Sequence, residues 1–289
     1  MSATFPYREV DVFTHEPLLG NPVAVVHDAV GLDDDRMAAF ARWTNLSETT
    51  FLLPPTPEGA AAGADYRLRI FTPGGELPFA GHPTLGSCHA WLEAGGVPQR
   101  DGVVVQECGV GLVTLRRTGD ELAFAAPDLI ADEPLEPATL DAFVTALGIP
   151  ADAVVDHRLL DNGPGWRVLL LDSAERVLSL APDWSGVDVA RHRAIGVVGP
   201  TGADAPDEPA FEVRGFVPGI SVPEDPVTGS LNAVIGQWLT STGRAPDRYV
   251  ARQGTALGRD GRVHVSRDVD GAVWIGGGTV TCVNGIVTL

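Results

Sequence analysis

Period-two alternation of apolar and polar residues recurs along most of this chain and constrains its fold more than any other feature. In the first half it marks residues 7–13, 23–26, 66–71, 103–106, 111–115 and 121–124, each of which reads as a short strand. Strands return at residues 166–171, 194–198, 211–216, 249–252, 262–265, 273–275 and 280–289. Helical patterning is confined to residues 34–43, 83–93, 138–147 and 231–240. Strands that do not alternate regularly with helices predict an α+β fold with mostly antiparallel sheets and argue against a doubly wound nucleotide-binding sheet. With 289 residues and 44% hydrophobic content, the chain can bury the core of one large domain or two small ones. Residues 126–137, rich in proline and acid, form the best boundary between two.

Charge and residue usage remove several function classes. Twenty basic residues against 38 acidic ones give a formal net charge of -18, which repels a phosphate backbone, so nucleic acid is not an expected partner. Every basic residue is arginine. Without a lysine there is no Schiff base for pyridoxal phosphate and no P-loop. The run Asp33-Asp34-Asp35 reads as a solvated helix start, its carboxylates on the positive end of the dipole. Cys88, Cys108 and Cys282 lie far apart without zinc-ligand spacing, and read as buried apolar thiols in a reducing compartment. No segment approaches the ~20 apolar residues of a membrane span, and residues 1–12 lack the apolar stretch of a signal peptide, so the expected location is cytoplasmic.

The two halves echo each other. Pro78-Phe79-Ala80-Gly81-His82-Pro83 enters a helix ending Trp91-Leu92-Glu93-Ala94-Gly95-Gly96. Pro223-Glu224-Asp225-Pro226-Val227-Thr228-Gly229-Ser230 enters another, ending Trp238-Leu239-Thr240-Ser241-Thr242-Gly243. The first amides of a helix have no intrahelical acceptor and the dipole favours negative charge, so each start could hold an anion; ordinary capped core helices would read the same way.

At these residues the chain resembles the phenazine-biosynthesis (PhzF-like) family. Gly20-Asn21-Pro22-Val23-Ala24-Val25, Asn45-Leu46-Ser47-Glu48-Thr49-Thr50-Phe51, Ile70-Phe71-Thr72-Pro73 and Leu77-Pro78-Phe79-Ala80-Gly81-His82-Pro83-Thr84 carry the likeness in the first half. Glu224-Asp225-Pro226-Val227-Thr228-Gly229-Ser230, Gln253-Gly254, Gly258-Arg259 and a closing strand near Gly277 carry it in the second. The resemblance implies a diaminopimelate epimerase-like fold: two similar domains, each a curved sheet wrapped round a central helix, with the active site between them. The expected domains are residues 1–126 completed by residues 277–289, and residues 127–276. The resemblance further implies a cofactor-free isomerase, a glutamate acid/base at Glu48, and His82, Asp225 and Ser230 completing the site. A small carboxylated metabolite is the expected ligand and a homodimer the expected assembly. Where alanine is usual after the Gly-Ser pair, this chain has Leu231-Asn232, which puts the substrate in question more than the mechanism.

The residues themselves allow that chemistry. Moving a proton between carbons needs a base that returns it, and a carboxylate lifted towards neutral pH by apolar surroundings can do both. Glu48 sits among Leu46, Phe51, Leu52 and Leu53, but alone it reads more readily as a strand-edge surface glutamate or a cap partner of Asn45. His82 could bind substrate, relay a proton or merely cap its helix. Its approximate alignment with His89 lacks a third metal ligand, so no metal is expected. Asp225 could orient an amine or share the proton transfer, though a lone Asp-Pro is ordinarily a turn. The amides of Gly81 and Gly229, with the Ser230 hydroxyl, could hold a carboxylate. Two alternatives stay open: an amino-acid epimerase or racemase, which normally needs two opposed bases, and an idle relative that binds a small acid or a protein.

Overall fold

The computed structural model describes residues 3–203, 205, 207–218 and 224–289, so Pro223 of the second loop lies outside the described residues. Its backbone divides into two units, Met1–Ala125 with Gly276–Leu289, and Ala126–Ile275. The fold is α+β and dominated by sheet.

The first unit runs β1 (Thr4–Val12), β2 (Asn21–Val26), α1 (Asp34–Thr44), β3 (Thr49–Leu53), the short α2 (Pro57–Ala61), β4 (Tyr66–Thr72), β5 (Gly75–Leu77), α3 (Gly81–Glu93), β6 (Val103–Cys108), β7 (Gly111–Thr118) and β8 (Glu121–Ala125). The C-terminal strand Thr279–Thr288 pairs antiparallel with β1 from Thr4↔Thr288 to Val12↔Thr279, through a bulge at Glu9/Val10. From there the sheet continues through β2, β3, β4, β6, β7 and β8; β2–β3 and β4–β6 are parallel and the other pairs antiparallel. The helix α3 packs against β1, β2, β3, β4, β6, β8 and the C-terminal strand, so the sheet curls round it. Small residues allow this close approach: a Cβ on Gly86 would run into the Val23 and Val12 side chains. On the other face, Met37, Phe40 and Ala41 of α1 form a core with Phe5, Val26, Phe51 and Phe71.

The second unit runs β9 (Ala131–Glu133), α4 (Pro137–Leu147), β10 (Val154–Asp161), β11 (Trp166–Leu171), α5 (Ala174–Ser179), β12 (Ile195–Pro200), β13 (Pro209–Phe216), β14 (Glu224–Asp225), α6 (Gly229–Ser241), β15 (Arg248–Gln253), β16 (Gly261–Arg267) and β17 (Val273–Gly277). Here β11–β12 and β13–β15 are parallel, and β9–β10, β10–β11, β12–β13, β13–β14 and β15–β16 antiparallel. The strand β9 lies inside the Pro- and acid-rich stretch expected to be linker; it is short and pairs only three residues of β10.

Element for element, the units repeat. The order from β1 to β8, without the short α2, matches that from β10 to β17, including the parallel pairs and the placement of the central helices α3 and α6. Both central helices have 13 residues. The strands β2 and β11 share one burial pattern, buried at every position but the second. That pattern suits strands with both faces covered, and explains their nearly continuous apolar composition.

Candidate active site

In the first unit the loop Asn45–Glu48 joins α1 to β3. Asn45 ends α1 in the left-handed conformation (φ 56°), which asparagine tolerates better than most residues, and its N–H donates to Ala41 O at 3.2 Å. The Thr44 and Thr49 hydroxyls meet at 2.8 Å across the loop. Thr50 donates to Ala24 O at 3.1 Å and accepts from Ser87 of α3 at 2.9 Å. Glu48 is thereby delivered at the mouth of β3, beside α3.

The Glu48 side chain is only 15% exposed, and its Oε2 faces Nε2 of the buried His82 at 3.5 Å. Burial pushes the Glu48 carboxyl up to about 7, against an opposing hydrogen bond from Ser47. Oε2 itself is buried without a hydrogen bond. Removing a carboxylate from water penalises its charged form, so the group is poised to take and release a proton near neutral pH. Asn21, the first residue of β2, places its amide nitrogen 3.5 Å from His82 Nδ1. With that amide donating, Nδ1 is the acceptor. Gly81 and His82 open α3 after Ala80, which offers no side-chain cap, and Pro83 follows where an N–H would have no helical acceptor.

In the second unit, Asp225 ends the two-residue strand β14. Its neighbour Glu224 is clamped in both carboxylate oxygens by Arg214 at 2.8 Å, and Arg214 also donates to Val177 O and Leu180 O at the end of α5. Asp225 Oδ2 accepts from the Thr228 hydroxyl at 2.7 Å, and Thr228 accepts from Gln253 Nε2 at 2.9 Å. Gln253 is fully buried and uses its whole amide: Nε2 also donates to Asp225 O, and Oε1 accepts from Thr228 N and Asn232 Nδ2. An amide NH2 can only donate, so the order Gln253 to Thr228 to Asp225 leaves Asp225 Oδ2 as an acceptor. Gly229 and Ser230 then open α6; Ser230 Oγ accepts from Trp166 Nε1 at 3.1 Å and its carbonyl accepts from Asn162 Nδ2 at 3.1 Å.

The six expected residues thus form two groups: Glu48, Gly81 and His82 in one unit, and Asp225, Gly229 and Ser230 in the other. Sequence reasoning did not single out Asn21, Asn162, Trp166, Arg214 or Gln253 by role. One signal was available, because His82 and Ser230 are each the second residue of a central helix, and Asn21 and Trp166 each open the second strand of a repeat. The unusual Leu231 is fully buried. It fills a hole left by Gly196 and Gly215, which face each other across β12 and β13; a Cβ on Gly196 would collide with it. One thiol expectation is corrected: Cys88 is buried, and burial pushes it up to about 12, but Cys108 is half-buried and Cys282 exposed. His89, the other histidine of α3, is engaged by Thr279 and Thr281 of the C-terminal strand. Among the described residues no three His, Cys, Asp or Glu converge as metal ligands, and no helix is long and apolar enough to cross a membrane.

Residues 10–285 match the family described as phenazine biosynthesis-like protein. The chain is similar to antisense-enhancing sequence 1 of Schizosaccharomyces pombe, at 39% identity over 96% of this chain and 97% of that one. It is also similar to trans-2,3-dihydro-3-hydroxyanthranilate isomerase of Pseudomonas aeruginosa, at 32% identity over 89% and 88%. The backbone resembles the crystal structure of a PhzF-family protein of Enterococcus faecalis, with a TM-score of 0.82, 25% identity, and coverage of 99% of this chain and 100% of that one.

Proposed function

The chain belongs to the phenazine biosynthesis-like family of isomerases, and from that premise we propose that Glu48 carries a proton from one carbon of a small carboxylated substrate to another. The carboxylate takes the proton while the C–H electron pair enters the substrate's conjugated system; the resulting carboxylic acid returns it at the second carbon, so the enzyme ends unchanged. The observation that carries this reading is a buried carboxyl lifted to about 7 with an oxygen facing a histidine. His82, whose Nε2 faces Glu48 Oε2 at 3.5 Å, orients the carboxyl. In the second unit, Asp225 and Ser230, with the amides of Gly229 and Ser230, offer an acceptor and donors to the polar groups of a small carboxylated ligand.

A single base is favoured over two opposed ones. The place before β12 that corresponds to Glu48 before β3 holds Ala194, which is buried and has no acid function. Neither His82 nor its counterpart Ser230 is a thiol.

The test is solvent deuterium incorporation, starting with trans-2,3-dihydro-3-hydroxyanthranilate, the substrate named for the Pseudomonas aeruginosa relative. The native protein should incorporate deuterium at the carbon that receives the proton. Glu48→Gln keeps the shape but cannot accept a proton, and should slow turnover by roughly 10²–10⁴ while leaving the fold intact. Full activity in Glu48→Gln would sink the assignment.

A further inference from the structure

Trp166 opens β11 and is buried, and its indole N–H is spent on the hydroxyl of Ser230 at 3.1 Å. An indole nitrogen donates and never accepts, so the bond occupies a lone pair on Ser230 Oγ and leaves its proton to go elsewhere. As the second residue of α6, Ser230 has no preceding helical turn whose carbonyls that hydroxyl could serve. Asn162, in the turn before β11, fixes the same residue from behind through its carbonyl at 3.1 Å. The hydroxyl proton is therefore available to an incoming acceptor, alongside the amides of the first helical turn.

The other repeat has the same arrangement. Asn21 opens β2 as Trp166 opens β11, and its amide reaches His82, which occupies the place of Ser230 in α3. In both units the first residue of the second strand acts on the second residue of the central helix.

We propose that Trp166 is a positioning residue: it holds Ser230 as a hydrogen-bond donor and so makes the start of α6 selective for a carboxylate over a neutral amide of the same shape. This rests on the carboxylate-binding role given to Ser230 above.

The test uses anthranilate and anthranilamide as probes, with dissociation constants measured by calorimetry for the native protein, Trp166→Phe, Ser230→Ala and the double variant. The native protein should prefer anthranilate. Trp166→Phe keeps an aromatic ring in place but loses the pyrrole ring and its N–H, and should weaken anthranilate binding about tenfold, the scale of one hydrogen bond to a charged group, while anthranilamide changes less than about threefold. With Ser230→Ala in place, Trp166→Phe should have no further effect. Equal weakening of both probes, or an undiminished effect in the Ser230→Ala background, would overturn the proposal alone. Failure of the native protein to bind anthranilate would overturn the carboxylate reading and the proposal with it. Should Trp166→Phe not fold, the indole N–H resonance of Trp166 decides: Ser230→Ala should shift it upfield in the ligand-free protein, and an unmoved resonance overturns the proposal.

Discussion

A glutamate that titrates near 7 in the folded chain and near 4.5 when unfolded makes both rate and stability depend on pH, in opposite senses. In the proposed role of base, Glu48 would have to be ionised, so deuterium incorporation should rise with pH through about 7 and level off above it; a flat profile between pH 5 and 9 would contradict the proposal. For stability, the folded state holds the proton more tightly than the unfolded state. Its contribution is fully present below about 4.5 and is lost as pH rises through about 7. Glu48→Gln should therefore stabilise the protein relative to native at pH 8, by up to about 3 kcal/mol, and change little at pH 4, as chemical denaturation at both pH values would reveal. At this scale the sequence was legible only in part. Apolar neighbours foreshadowed the burial of Glu48. The contact with His82, 34 positions away, depends on how β3 and α3 pack, which no local pattern records. The bond from Trp166 to Ser230, across 64 positions, left no local trace either.

Among elements, the ends of the four long helices shift by no more than two residues; α1 and α4 bury a stripe at helical spacing, Met37, Phe40 and Ala41 in one and Phe143, Ala146 and Leu147 in the other, whereas α3 and α6 are buried on nearly every side. The strand β3 was not read from alternation, because four of its five residues are buried and so no polar face marks the period. The strand β10 escaped for the opposite reason: Asp156, His157 and Arg158 interrupt its pattern on a largely half-exposed strand. The omission of β10, and of α5 after it, left the repeat legible only at the two central helices, since β10 and α5 are the counterparts of β1 and α1. The side chain of Leu231 occupies the gap above the facing pair Gly196 and Gly215. Gly196→Ala should cost about 1–3 kcal/mol by overpacking. Leu231→Ala should cost about 2–5 kcal/mol by leaving a cavity. The double variant should be less damaged than the sum, and strict additivity in a denaturation cycle would refute the fit described here.

At the level of the whole molecule, one unit is continuous in sequence and the other is not. Residues 126–275 are uninterrupted, whereas the sheet of the first unit takes its last strand from the far end of the chain, with Ala3 and Leu289 bonded to each other at 2.8 and 2.9 Å. A chain cut after Ile275 should keep the protease resistance of the second unit and lose that of the first. Limited proteolysis of the truncated protein checks this, and equal resistance in both units would contradict it. During synthesis the consequence is one of timing: β1 leaves the ribosome about 270 residues before the strand Thr279–Thr288 that it pairs with. The second unit can fold while translation proceeds, whereas the sheet beside Glu48 can be completed only after residues 279–288 have emerged.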